Sequence, residues 1–462
     1  MSKRLLWFFL GGLLIAAASG AVAQTTNLFP GGWVEKDGTG IRTRLTASQI
    51  QSFVPPARGP FTFPAPYGTK AVRITDASDC GGQDCVWYVG YSYWRNSNAH
   101  QNSNDMWIFL GLAANRGGAG PTLFKYNKTT DAITKVGSLF PAGSKFVNYT
   151  AEGWYFSANP NRPNTLYLID GPKLLRYDVV SKTFETVFDI TAQFGADRNI
   201  WQIHSSNDDL VHSATLRVAS TGKYLGCLVY LETTRQYRWY PQVGVFDECN
   251  LDKSGRWTIS LEDLGVPNDL AMRIFDNQTG QETRISGPAG TLGHLDMGYG
   301  YAVGADNHNV MPNASVLWSF APSIAQGPVV QYNPNWNIVA VNHISHSNAK
   351  PNVPASQQYA CGSDASTNYS AQNEITCFRL DNSYDQLIVA PVMTDPNAIG
   401  GCCDFFAKQP KGNLDITGKY FIWTTNLGGN RMDAFLVKVP SQLLGIGGDT
   451  TPPVAPVNLR FQ

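Results

Sequence analysis

The chain has 462 residues, with 35 Lys and Arg against 35 Asp and Glu, so it carries no net charge when histidine is neutral. That balance gives no support to a nucleic-acid or acidic-membrane partner. With 44 Gly, 27 Pro, 20 Tyr, 12 Trp and only 15% charged residues, the composition suits many short strands joined by tight turns, and its neutral, Asn- and aromatic-rich character suits an uncharged or mixed ligand such as a glycan.

In chain order, "MSKRLLWFFLGGLLIAAASGAVAQ" has a basic start, an apolar run and an Ala-Val-Ala cleavage pattern. Residues 1–23 therefore read as a secretory signal. No later run approaches the roughly 18 apolar residues of a membrane span. The expected compartment is secreted or periplasmic, with no transmembrane anchor after cleavage. Residues 24–60 read as an N-terminal extension, 61–441 as the folded body and 442–462 as a Gly/Pro-rich flexible tail. In that tail "DTTPPVAPVNLR" resembles the linker that opens fibronectin type III modules.

Eight cysteines in an exported chain read as disulfides. Closeness along the chain suggests Cys80–Cys85, Cys227–Cys249 and Cys361–Cys377. Cys402 and Cys403 remain, to bond each other as neighbours or to pair elsewhere.

A repeat organises the middle of the chain. "CNLDKSGRWTIS", "GHLDMGYGYAVG" and "GNLDITGKYFIW" share a polar residue, Leu, Asp and a glycine turn before an aromatic and apolar run. "IHSSNDD" and "NHIS" fit the same frame, with weaker copies near Tyr155 and His100. A second series of hairpin-like segments runs from "LFKYNKTTDAITKV" to "DAFLVKVP". A period of about 40 to 50 residues with about four short strands each predicts a β-propeller. The fold expected is all-β: seven four-stranded antiparallel blades, stapled by disulfides, with a strand in "TKAVRITDA" completing the last blade beside "DAFLVKVP". A β-sandwich array is the competing architecture.

In a propeller, equivalent positions on the innermost strands form a ring at one mouth of the axis. The frame places His100, His204, Asn250, His294, His343 and Asn413 on that ring, flanked by Gln202, Glu248 and Lys411. "NHISHSN" (342–348) is expected to begin the inner strand of the sixth blade. Polar mouths also arise without chemistry, because solvent fills them and strand ends need hydrogen-bond partners. Gly-x-Ser-x-Gly, phosphate-loop, His-Glu-x-x-His and Cys-x-x-Cys-His motifs are absent, which argues against common hydrolases, nucleotide enzymes, zincins and haem proteins.

The propeller pattern, the ending "LDITGKYFIWTTNLGG" and the polar mouth resemble the oligogalacturonate lyases and, more loosely, the ulvan lyases. The resemblance implies a divalent metal (Mn or Ca) held by His294, His343, His346 and Asn348, with no other cofactor. In that family the corresponding set is His and Gln-x-x-His-x-His, so His343 stands for the glutamine and Asn348 for the last histidine. Asn250 stands where the family's base histidine is expected. The implied activity is β-elimination on a uronate polysaccharide or oligosaccharide, which needs a base and a group that neutralises the carboxylate. His204 is the candidate base; Arg238, Tyr299 and also Arg198 are candidates for binding the carboxylate or protonating the leaving oxygen. His100, Gln202, Glu248, Asn250, Lys411 and Asn413 are candidates for substrate binding. A non-catalytic glycan- or protein-binding propeller and a structural cell-surface protein are the alternatives.

Overall fold

The computed structural model describes residues 28–36, 42–53, 55, 57–149, 152–263, 270–285, 292–305, 314–325, 327–332, 343–365, 373–398 and 405–446. The signal at 1–23, most of the tail, Cys402 and Cys403 lie outside the described residues.

The local logic of the repeat is visible where one strand turns into the next. In "NLDKSGRW" the Asp252 carboxylate accepts the Trp257 N–H at 2.9 Å, and Gly255 takes a left-handed φ of 77°. In "NLDITGKY" Asp415 accepts the Tyr420 N–H at 2.7 Å, and Gly418 has φ 74°. The aspartate thus caps a tight turn that glycine makes sterically free. The apolar run that follows becomes the second strand.

Seven antiparallel sheets result, and the closed seven-bladed propeller expected from the period is the fold. Blade 1 holds Asp105–Leu112, Gly120–Asn127 and Ile133–Ser138, with Ser97 bridging to Ile108 on its inner side. Blades 2 to 5 each have four strands, and their first strands are Tyr155–Phe156, Arg198–Ser205, Val245–Leu251 and Leu295–Met297. Blade 6 opens with His343–Ser345, as "NHISHSN" suggested, and blade 7 with Asn413–Leu414. First strands touch between blades 3 and 4, 5 and 6, and 6 and 7, which places them around the axis.

Closure comes from the N-terminal region. Lys70–Arg73 pairs with Asp433–Lys438, matching Val72 with Leu436, and Gly59–Thr62 adds a fifth strand outside it. A buried ion pair between Arg73 and Asp433 (2.6 Å) and the Thr75 hydroxyl on Asp433 (2.9 Å) lock the seam. Trp33–Glu35 extends blade 6 against Ile388, Leu387 and Gln386. Part of the segment read as an extension therefore lies within the sheets.

Apolar faces meet between blades. Leu387, Ile388, Trp423 and Phe435 fill the blade 6–7 gap, and Ile259, Ile274, Val316 and Trp318 fill that between blades 4 and 5. Each such side chain contributes about 1.5–3 kcal/mol by leaving water. The three suggested disulfides are present. Cys361 and Cys377 sit opposite each other in blade 6, Cys227–Cys249 ties blade 3 to blade 4, and Cys80–Cys85 closes a loop before blade 1. These cross-links are compatible with an extracellular or periplasmic protein. Among the described residues no helix is long and apolar enough to cross a membrane.

Candidate functional site

The polar positions of the inner strands form two rungs rather than one ring. Asn250 and Asn413 face Ile259 and Ile422, each two residues into the second strand of its blade, and His204 faces Ser213 in the same way. In blades 5 and 6 that place belongs to Asp296, facing Val303, and Ser345, facing Cys361. His294 lies two residues upstream, where its carbonyl accepts the Ala305 N–H, and His343 faces Ser363. They are level with Glu248, which faces Leu261. The upper rung is therefore Gln202, Glu248, His294, His343 and Lys411. The lower rung is His204, Asn250, Asp296, Ser345 and Asn413.

In blade 1 the lower-rung place is taken by Asn96, which accepts from the Asn413 amide at 2.9 Å. His100 sits elsewhere, with its Nε2 3.0 Å from Asp415 and its carbonyl accepting from Lys128.

The axis is not an open channel. The stretch Tyr88–Asn98, "YVGYSYWRNSN", crosses it, and its aromatic rings reach four other blades. Tyr91 packs against His294 and His343, with ring centroids at 5.5 and 5.2 Å. Tyr93 and Trp94 cover His204 at 5.3 and 5.5 Å, and the Trp94 indole donates to the Ile203 carbonyl. Tyr88, Tyr91, Glu248, His294, His343 and Lys411 come together on one side of these rings, and this largely buried polar cluster forms the mouth, or funnel, of the propeller.

Three features set its chemistry. Glu248 accepts from the Tyr93 hydroxyl and from the Asn250 amide, both at 2.7 Å. Burial first, then the neighbouring Asp247 charge, push its carboxyl up to about 7, against those two hydrogen bonds. His294 and His343 stack at 4.4 Å with 15° between planes. His343 is fully buried, neither of its ring nitrogens has a partner, and burial holds its pKa well below the ordinary value. Lys411 lies over the Tyr88 and Phe406 rings and donates to the Phe406 carbonyl. At the rim Glu152 accepts from the Trp201 indole, and Arg217 stacks on Trp201 at 4.3 Å.

The other sequence candidates lie apart. Burial lowers His204 to about 3, so the imidazole is neutral but a poor base, and it lies beneath the plug. Tyr299 is in the turn at the far end of blade 5, accepting from Asn207. Arg238 is on the outermost strand of blade 3, donating to the Gln278 carbonyl, and Arg198 donates to the Asp197 carbonyl. Gln202 accepts from the Thr215 hydroxyl at 3.1 Å in a left-handed backbone. The reasoning from sequence missed Tyr91, Tyr93 and Trp94. Their signal was the density of aromatics between Trp87 and Trp94, which follows no strand period.

No protein-family model and no curated protein sequence matches the chain. Solved structures do. An oligogalacturonate lyase from Vibrio parahaemolyticus matches with a TM-score of 0.57 at 8% identity, covering 84% of this chain and 100% of that one. An oligogalacturonate lyase in complex with manganese matches at 0.55 and 12% identity, covering 85% and 98%. TolB from Acinetobacter baumannii is matched more loosely, at 0.36 and 10% identity over 75% and 82%. At such identities the likeness is one of fold.

That neighbour holds manganese, and the resemblance assigns His294, His343, His346 and Asn348 to a metal here. They do not form a ligand set. His346 donates from Nδ1 to the Tyr359 carbonyl (3.0 Å) and Asn348 Oδ1 (3.2 Å), and its Nε2 accepts from the Tyr301 hydroxyl (2.7 Å). Neither nitrogen keeps a lone pair for a metal, and the Asn348 amide donates to the same Tyr359 carbonyl. Imidazole lone pairs lie in the ring plane, so the near-parallel His294 and His343 rings point side by side rather than at one ion. Among the described residues no three His, Cys, Asp or Glu side chains gather to hold a metal.

Proposed function

We propose that the funnel is a glycan site and that its reaction is β-elimination across a uronate ring. The observation that supports this is the meeting of Glu248, the His294–His343 pair and Lys411, from four different blades, against Tyr91. Elimination removes a proton beside an ionised carboxylate, so the charge that develops there must be met by a proton or a cation. A Glu248 carboxyl balanced near pH 7 carries such a proton in about half the molecules at neutral pH and shares it with the uronate carboxylate. The Tyr93 hydroxyl and Asn250 amide fix its orientation, and Lys411 adds a positive charge on the same rung. His294, half-buried and backed by His343, takes the base role in place of the covered His204. Tyr91, packed against both imidazoles, protonates the leaving oxygen. No step is assigned to a metal.

A second reading is glycan binding without turnover. It is favoured by the carboxylates Glu248, Glu152 and Asp247, whose charges add to burial in raising the Tyr91 pKa and so crowd one region. That concentration disfavours a polyanion and suits a neutral glycan held by the aromatic wall. Incubation with a panel of uronate polysaccharides, followed by the ultraviolet absorbance of the unsaturated product, separates the two. Product formation that is lost in Glu248→Gln supports the lyase, and binding of neutral glycans with no product supports the second reading.

A further inference from the structure

Blade 7 carries a second polar recess, on the hairpin between its second and third strands. Its Asn413–Leu414 strand starts just after Lys411 on the upper rung, and Tyr420–Thr425 returns antiparallel to it. The hairpin that follows Thr425 therefore opens at the funnel end of the blade. There Arg73, Arg431, Asn430, Gln51, Leu427 and Pro55 line a groove of about 240 Å³. That is room for about eight waters at roughly 30 Å³ each, the space of one sugar ring rather than of a bare ion.

The charges along this groove do not cancel. Arg73 and Arg431 both bond the same oxygen of Asp433, the first at 2.6 Å. Asp433 is fully buried, and among the described residues no carboxylate lines the groove itself. Asp84, close by in the fold, accepts the Met432 N–H at 2.9 Å and faces Arg116 at 3.6 Å. A guanidinium keeps its charge in a protein, so two on one carboxylate leave one positive charge over. Arg73 is spent on the seam, with Nε on the Thr75 carbonyl (3.0 Å) and Nη1 on the Pro55 carbonyl. Arg431 is not. Its side chain is 22% exposed, one nitrogen goes to Asp433, and its Nε meets no acceptor. Asn430 beside it is exposed, and Gln51 reaches across to the Gly428 carbonyl at 3.4 Å.

We infer that this groove binds a monocarboxylate the size of one sugar ring, such as a uronic acid. Arg431 meets the carboxylate in a charge-assisted hydrogen bond. Asn430 and Gln51 offer amides to the ring hydroxyls, and Leu427 and Pro55 give the ring an apolar wall. The single excess charge suits a carboxylate over a dianion such as phosphate. The groove opens on the same face as the funnel but is a separate site, and its occupancy does not depend on what the funnel binds or turns over.

Crystals of the full chain soaked in galacturonic acid, galactose or acetate test this, alongside equilibrium dialysis of galacturonic acid. The expected result is galacturonic acid in the groove, with its carboxylate within about 3.2 Å of an Arg431 nitrogen, and no galactose or acetate there at the same concentration. Arg431→Leu leaves the Arg73–Asp433 pair in place and should lower the number of galacturonic acid molecules bound per chain by about one. Glu248→Gln, which alters only the funnel, should leave the groove filled. An empty groove, density in the funnel alone, equal filling by galactose or acetate, or an unchanged number bound in Arg431→Leu overturns the inference. If Arg431→Leu does not fold, the soaked crystals of the unaltered chain decide alone.

Discussion

The two ends of the sixth blade's inner strand carry histidines three residues apart in opposite situations. His346 has both nitrogens satisfied by Tyr301 and Tyr359, whereas His343 has neither nitrogen satisfied and stacks on His294. The first is part of what holds blades 5 and 6 together. The second costs the fold the desolvation of an unpaired imidazole, and such a cost is what a site that meets a ligand carries. Hydrogen-bond satisfaction therefore distinguishes two histidines that their shared place at the inner strand does not.

Breaking that contrast gives graded outcomes. The largest effect falls on Glu248, the upper-rung group with a shifted carboxyl. Glu248→Gln should lower turnover at least about 100-fold, the size expected of a lost proton-transfer group, read from initial rates. The same change should stabilise the fold. A carboxyl raised in the folded state to about 7 gives stability that is full below its unfolded pKa of about 4.5 and is lost as pH rises through 7. Chemical denaturation at pH 8 should therefore show Glu248→Gln more stable by about 2–4 kcal/mol, with the gain vanishing near pH 4.

Next come the two histidines. His346→Phe strands the Tyr301 hydroxyl, leaving the Tyr359 carbonyl to the Asn348 amide alone, and should cost about 1–3 kcal/mol. His343→Phe removes two unpartnered atoms and should change stability by less than about 1 kcal/mol while lowering turnover. Equal destabilisation by both would erase the distinction. Smallest of all, Arg238→Ala on the outermost strand of blade 3 should leave turnover within about twofold.

Much of the fold was legible in the sequence because it repeats. The Asp–Gly turns, the closing strand "TKAVRITDA" and the three cysteine pairs follow from spacing and from local chemistry that each blade reuses. The two-rung register was not legible. "GHLDMG" and "CNLDKSG" align at Leu-Asp and slip by one residue at the glycine, and in blade 4 Asp252 closes the turn to Trp257, while in blade 5 Gly298 closes a shorter turn to Tyr301. That difference carries His294 one rung upward. The plug was hidden for another reason. Tyr91, Tyr93 and Trp94 are placed by contacts with residues more than a hundred positions away, and no local period announces such contacts.

One measurement bears most directly on the funnel as a proton-sharing uronate site: the initial rate of unsaturated-product formation from an oligogalacturonate between pH 5 and 9. Product should form, with the rate declining as Glu248 loses its proton above about pH 7, and Glu248→Gln should be uniformly slow. Absence of product across that range, or a Glu248→Gln variant as fast as the unaltered chain with the same pH profile, would contradict it.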